Sequence, residues 1–108
     1  QARLEAGEKV RGYEVDRRLK ERFEQLGCAQ YLMHRTGHNI GHRCHGIGAN
    51  LDDYETHDDR CLLPGTMFSI EPGLYTDKYG VRLEYDVHIT SEGETKVYGP
   101  VQDEILVI

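Results

Sequence analysis

Four histidines fall within thirteen residues of the chain, in the stretch HRTGHNIGHRCHG that begins at His34. Imidazole binds divalent metals and also exchanges protons near neutral pH. His34 and His38 have the four-residue spacing of a zinc-binding HExxH helix, but Gly37 and Gly41 disfavour a helix and Arg35 stands where that motif has glutamate. The stretch therefore predicts a non-helical loop whose histidines serve a metal, a proton transfer or the surface.

Two glutamates later in the chain are candidate partners for these histidines. Glu71, in FSIEPG, follows apolar residues and precedes a Pro-Gly turn, so a buried charge there needs a compensating group. On spacing alone, Glu84 and Arg82 indicate a solvated strand face with a weak ion pair, and a ligand role for Glu71 is about as well supported as a structural one. One histidine and two glutamates would form an oxygen-rich set that suits Mn, Fe, Co or Zn.

A helix and several strands must position these residues. The segment GYEVDRRLKERFEQLG, starting near Gly12, predicts a core-facing amphipathic helix that ends at Gly27. The residues on its apolar face are Val15, Leu19, Phe23 and Leu26. RLEAGEKVR before it is a helical end or a loop, CAQYLMHR could be a short strand, and ANLDDYETHDDRCL has the composition of a solvated acidic loop.

The last part of the chain predicts antiparallel sheet. GTMFSIEPGLY and YGVRLEYDVHIT are β-rich runs separated by TDK, and the second alternates apolar and polar residues from Val81 to Ile89. SEGETKVYG predicts a turn and a further strand, and EILVI predicts a terminal strand.

Length and composition narrow the class of protein. The 108 residues form at most one domain, and the net charge of −6 argues against nonspecific nucleic-acid binding. The sequence contains no apolar run of membrane-spanning length and nothing typical of a signal peptide. Three cysteines without zinc-like spacing predict reduced thiols and a cytoplasmic location.

Four motifs occur in a recognisable order: HRTGHNIG, HGIGANLDDYETHDD, PGTMFSIEPGLY and GVRLEYDVHIT. They resemble the carboxy-terminal catalytic part of the pita-bread metallopeptidases of the Xaa-Pro dipeptidase (prolidase) and aminopeptidase P type. The resemblance covers nearly the whole chain and includes the preceding helix. It implies an α+β fold, half of a pita-bread (creatinase/aminopeptidase-like) fold, in which an amphipathic helix packs on a curved antiparallel sheet.

The resemblance also implies roles for individual residues. The metal ligands are His38, Glu71 and Glu84, of which Glu84 bridges two metals. The catalytic and substrate-facing groups are His45, which stabilises the tetrahedral intermediate, Glu71 as general base, and His34 in the substrate pocket. The supporting residues are Tyr75, Arg82 and, in a prolidase-type loop, His57. His42 and His88 match no functional position.

The family mechanism uses two divalent ions, manganese first with cobalt, zinc or iron as alternatives, to activate a water against the scissile carbonyl. The substrate implied is a peptide with proline after the cleaved bond. The family's two aspartate ligands precede the helix and are absent here, so residues 1–108 are expected to be the carboxy-terminal portion of a catalytic domain, separated by truncation or proteolysis. Such a chain should be inactive, bind at most one metal weakly, and expose a surface for its missing amino-terminal half or for self-association.

Two alternatives stay open. A metal-free, creatinase-like hydrolase uses the same fold with an incomplete ligand set, and other proteins use the fold as a non-catalytic peptide- or protein-binding module. The sequence does not distinguish a dipeptidase from an aminopeptidase, and it does not identify the metal.

Overall fold

The structure of the chain, a computed structural model, describes residues 1–105 and 107. It is an α+β fold with two α-helices, a short 3-10 helix and six strands among these residues. The helices are α1 (Ala2–Glu5) and α2 (Gly12–Gln25), with the 3-10 helix over Ala29–Tyr31. The strands are β1 (Asn39–Ile40), β2 (Met67–Ile70), β3 (Gly73–Tyr75), β4 (Gly80–Arg82), β5 (Tyr85–Ile89) and β6 (Thr95–Tyr98).

Helix α2 ends where the sequence predicts. Gly27 adopts φ +71°, which a glycine tolerates without a steric penalty, and its N–H donates to the Glu24 carbonyl at 2.9 Å. The N–H of Cys28 donates to the Phe23 carbonyl at 3.0 Å, which completes a Schellman motif. Leu26, predicted on the apolar face, is instead 59% exposed because it caps the helix beyond its last packed turn.

The four-stranded sheet has the order β1-β2-β5-β6 with antiparallel pairs, and β3 pairs with β4 separately. These two sheets come from one bent hairpin. Ile70 is opposite Tyr85 at the end of the first sheet, and Gly73 is opposite Arg82 at the start of the second. Two residues separate the strands on each side, so the register is unchanged across the break.

The predicted continuous strand from Val81 to Ile89 is therefore wrong. The chain changes sheet at residues 83–84, where the Leu83 N–H donates to the Pro72 carbonyl at 3.3 Å. Pro72 lacks an N–H and cannot continue a ladder on both sides, which favours a bend here. Of the alternating apolar residues, Val87 and Ile89 are buried, whereas Val81 is 49% exposed.

The segment predicted as a solvated acidic loop contributes to the core, so that interpretation is also wrong. Leu51 is fully buried and packs with Leu62 against Phe68 and Ile89 of the sheet. Asp52 is fully buried as well, and its carboxylate accepts the backbone N–H groups of the three residues from 54 to 56. The Asp52 side chain thus takes the place of water as the hydrogen-bond acceptor for these N–H groups. The amino-acid composition of the segment does not reveal this.

Two shorter predictions also differ from the structure. The possible strand CAQYLMHR contains the 3-10 helix instead. In the predicted terminal strand EILVI, Glu104, Ile105 and Val107 have no strand structure, and residues 106 and 108 lie outside the described residues.

No helix in the described part of the chain is long and apolar enough to cross a bilayer.

The apolar face of α2 lies across an open groove from the sheet. Val15 packs against the core, while Leu19 and Phe23 line a cavity of about 1120 Å³ with Phe68 and Val97. The floor of this groove is the face of β2, β5 and β6.

Candidate functional site

The register of the hairpin sets the two candidate carboxylates opposite each other at its bend. Because the register continues across the break, Glu71 after β2 lies opposite Glu84 before β5. The Arg82 guanidinium lies 3.7 Å from a carboxylate oxygen of each glutamate. A positive charge between two negative ones offsets their repulsion, and a bound cation would act in the same way.

Glu71 is the better-positioned of the two glutamates. Its side chain is 16% exposed, its backbone N–H donates to the Thr36 carbonyl at 2.7 Å, and the Ser69 hydroxyl donates to its Oε1 at 3.0 Å. The Glu84 side chain is 51% exposed. One carboxylate is therefore held in a fixed orientation, while the other is free to move toward a ligand.

His38 is held against the Glu71 carboxylate by its backbone and its ring. The His38 N–H donates to the Ser69 hydroxyl at 3.0 Å, and its carbonyl accepts the Ser69 N–H at 2.9 Å. The ring Nδ1 lies 3.0 Å from the Asn39 carbonyl, and Nε2 lies 3.3 Å from Glu71 Oε1. An Nδ1–H that donates to a backbone carbonyl leaves the Nε2 lone pair for a metal, the usual arrangement of a histidine ligand.

His45 lies over His38. The two rings stack with centroids 4.1 Å apart and an angle of 29° between their planes, and His45 is exposed at the outer side. An exposed imidazole beside a buried histidine and a carboxylate can donate a hydrogen bond to a bound substrate.

His34 and Tyr75 form a separate pair at the edge of the site. The His34 Nε2 lies 2.8 Å from the Tyr75 hydroxyl, and its Nδ1 lies 2.8 Å from the Arg35 carbonyl. Both ring nitrogens of His34 thus have protein partners, so the pair forms an ordered wall.

The structure places His57 against Tyr13 of helix α2. Its Nδ1 lies 2.6 Å from Asp53, and its ring stacks on Tyr13 with centroids 4.3 Å apart. Hydrogen bonds from His57 and from Arg17 hold the pKa of Asp53 below its usual value. Its described partners are not the residues of the candidate site, and a supporting role for His57 stays a prediction.

Sequence reasoning missed two buried residues that position the site. Asp16, 1% exposed on α2, accepts the N–H and hydroxyl of Thr36, which also holds Glu71. Ser69, 1% exposed on β2, connects His38 to Glu71. The four-residue spacing of Asp16 and Lys20 was a weak signal, because such pairs are usual on exposed helix faces.

The donor set has the chemistry that a divalent metal requires. His38 and Glu71 present a ring nitrogen and a carboxylate oxygen 3.3 Å apart, a separation close to that of two ligands on one ion. Glu84 is not gathered with them: within the described residues, the three-ligand group whose donor atoms all lie within 4.8 Å of one another is His38, Cys44 and His45. Two candidate ligands are thus in contact, and the third candidate, Glu84, lies across the bend on a half-exposed side chain.

Comparisons with known proteins identify the family and the fold of the chain. Residues 2–91 match the family described as metallopeptidase family M24. The chain is 36% identical over 90 residues to the probable dipeptidase PepE of Mycobacterium tuberculosis, covering 82% of this chain and 23% of that protein. It superposes on the structure of an Xaa-Pro dipeptidase from Bacillus anthracis with a TM-score of 0.78 and 32% identity, covering 93% of this chain and 27% of the other.

A third comparison, with the X-Pro aminopeptidase structure from Thermotoga maritima, gives a TM-score of 0.76 at 27% identity, over 93% of this chain and 27% of the other. The chain thus spans about a quarter of the length of these relatives.

Proposed function

The chain belongs to metallopeptidase family M24, and from this premise we propose that it is the carboxy-terminal part of a catalytic domain that cleaves Xaa-Pro bonds with two divalent metal ions. The observation that carries the proposal is the 3.3 Å approach of His38 Nε2 to Glu71 Oε1, with Glu84 opposite Glu71 across the bent hairpin. The Xaa-Pro dipeptidase and X-Pro aminopeptidase among the similar structures support the substrate class.

The residues of the site divide the chemistry between them. Bound divalent ions would supply Lewis acidity that lowers the pKa of water and polarises a carbonyl. Glu71, held by Ser69, is placed to take a proton at Oε2 and deliver it to the leaving nitrogen. His45, exposed above His38, donates to the oxygen on which negative charge develops. His34 and Tyr75 form a wall of the substrate pocket.

Charge balance implies that the ligand set is shared with a segment outside these 108 residues. Two divalent ions carry four positive charges, whereas Glu71 and Glu84 carry two negative ones and His38 is neutral as a ligand. Two further carboxylates, which the resemblance assigns to an upstream segment, would restore neutrality. The 108-residue chain therefore binds at most one ion weakly, manganese being the preferred candidate, and has no turnover by itself.

The upstream half of the catalytic domain is the proposed occupant of the apolar groove between α2 and the sheet. Leu19 and Phe23, which are half-buried, line it together with Val97, which is 56% exposed. The relatives are about four times longer than this chain, so a covering segment has an available source. Self-association through the same groove is the competing outcome, and a cytoplasmic location is part of the same proposal.

Calorimetric titration with Mn²⁺ tests the metal part on two proteins, the 108-residue chain and a form extended upstream. We expect tight binding of two ions and turnover of an Xaa-Pro dipeptide only in the extended form, and loss of both in its Glu71→Gln variant. Glu21→Gln, an exposed carboxylate on α2, is the matched control and should change neither.

Four outcomes would contradict the proposal. Turnover by the 108-residue chain alone would show that no further ligands are needed. Full activity of the extended form after metal removal would favour the metal-free, creatinase-like hydrolase, and its inactivity with metal bound would favour a binding module. Light scattering that shows a dimer of the extended form through the groove would assign the groove to self-association.

A further inference from the structure

A cysteine that the peptidase chemistry does not use lies beside the buried histidine of the site. One donor atom from each of His38, Cys44 and His45 lies within 4.8 Å of the other two. His38 is buried and fixed, whereas Cys44 and His45 are exposed on the loop that covers it. The group contains two imidazoles and one thiol, which differs from the oxygen-rich set of His38, Glu71 and Glu84.

The loop that carries Cys44 and His45 is fixed at its base by Asn39. The Asn39 carbonyl accepts the Gly46 N–H at 2.9 Å, and its side-chain oxygen accepts the Gly48 N–H at 3.0 Å. The Asn39 amide in turn donates to the Met67 carbonyl of β2 at 3.1 Å. A Cβ at Gly46 would overlap the Asn39 side chain, so the close return of the loop requires glycine there. The return of the loop beside His38 is therefore fixed by the fold.

The His38 ring can serve either group of ligands but not both together. Its Nδ1 is engaged with the Asn39 carbonyl, so Nε2 offers a single lone pair. Nε2 lies 3.3 Å from Glu71 Oε1, and because Nδ1 is engaged, Nε2 is also the ring nitrogen left for an ion held by Cys44 and His45. An ion bound by one set removes His38 from the other.

We propose that His38, Cys44 and His45 form a second metal site, selective for thiophilic divalent ions such as Zn²⁺ and Cd²⁺, that is mutually exclusive with the carboxylate site. Zinc bonds of about 2.0–2.1 Å to nitrogen and 2.3 Å to sulfur place tetrahedral ligand atoms roughly 3.3–3.6 Å apart, so the exposed loop has to close by at most about 1.5 Å from the 4.8 Å limit. Thiolate ligands favour zinc over manganese, and the fourth position is left for water. Zinc bound at this site would then occupy His38, which the proposed manganese site also requires.

Cobalt titration of the reduced 108-residue chain under anaerobic conditions tests the site, because a thiolate bound to Co²⁺ gives a charge-transfer absorption in the near ultraviolet. We expect this band in the parent chain, its displacement by one equivalent of Zn²⁺, and at least about a tenfold weaker zinc affinity in Cys44→Ser, equivalent to 1.4 kcal/mol. Cys28→Ser and Cys61→Ser are matched controls at half-buried cysteines and should keep the band.

Further variants separate the loop from the carboxylates. Gly46→Ala, which displaces the loop without removing a ligand, should weaken zinc binding, and His42→Ala should leave it unchanged. The double variant Glu71→Gln/Glu84→Gln should keep the cobalt–thiolate band, so failure of the carboxylate proposal is distinguishable from failure of this one. Absence of the band in the parent chain, its persistence in Cys44→Ser, or its equal loss in Cys28→Ser would each overturn the inference.

Discussion

Replacing Asp16 with asparagine should remove a large part of the folding free energy. The Asp16 carboxylate accepts the N–H and hydroxyl of Thr36 at 3.0 and 2.6 Å, accepts the Asp53 N–H at 2.7 Å and pairs with Lys20 at 3.0 Å. An asparagine oxygen can keep the contacts with Thr36, but its amide then faces two other donors. Losing two charge-assisted hydrogen bonds at about 1.5–3 kcal/mol each, or breaking a buried ion pair, predicts a loss of about 3–5 kcal/mol.

Urea unfolding of the 108-residue chain, followed by circular dichroism, measures this loss. Glu21→Gln is the matched control on the same helix, since the Glu21 side chain is 57% exposed and pairs with exposed Arg18, a contact worth about 0–1 kcal/mol. A difference between Asp16→Asn and this control below about 1 kcal/mol would refute the assignment of Asp16 as the residue that connects α2 to the site. A loss of about 3–5 kcal/mol would be a large share of the 5–15 kcal/mol typical of a domain.

Three further measurements use the same unfolding assay. The Arg60 guanidinium lowers the pKa of buried Asp58 from 3.8 to about 2, so the stabilisation from this pair is present above pH 4 and is lost as the pH falls through about 2. Arg60→Met should therefore lower the free energy of unfolding by about 2 kcal/mol at pH 6 and make it less dependent on acid pH. An unchanged acid profile would contradict this. Leu51→Ala should lower the free energy of unfolding by about 2–5 kcal/mol, because it leaves a cavity in the core. Ile47→Ala, at a side chain that is 98% exposed, should lower it by less than about 0.5 kcal/mol, and equal effects would contradict the burial of Leu51. Gly37→Ala should cost at least about 1–3 kcal/mol because its methyl would overlap a backbone carbonyl of β2, and a neutral result would refute that close approach.

Local patterns were sufficient for the elements whose determinants lie close together in sequence. The four-residue apolar spacing and Gly27 predicted α2 and its end, and the Gly and Asp residues near the turns predicted the hairpins. The order of four motifs predicted the pita-bread metallopeptidase resemblance, and the family match confirms it. The same motifs selected His38 and Glu71, which the structure brings to 3.3 Å.

Only the tertiary structure decided which polar residues are buried and which partners they have. Asp16 and Asp52 belong to segments with the composition of solvated surface, yet both are at most 1% exposed. Asp16 accepts the N–H of Asp53, which is distant in sequence, whereas Asp52 accepts N–H groups of its own turn. The register that sets Glu71 opposite Glu84, and the hydrogen bond from Asn39 to Met67 at the base of the Cys44 loop, likewise depend on pairing between separate segments of the chain. Local propensity carries no information about such pairings, because their energy comes from groups that meet only when the chain has folded.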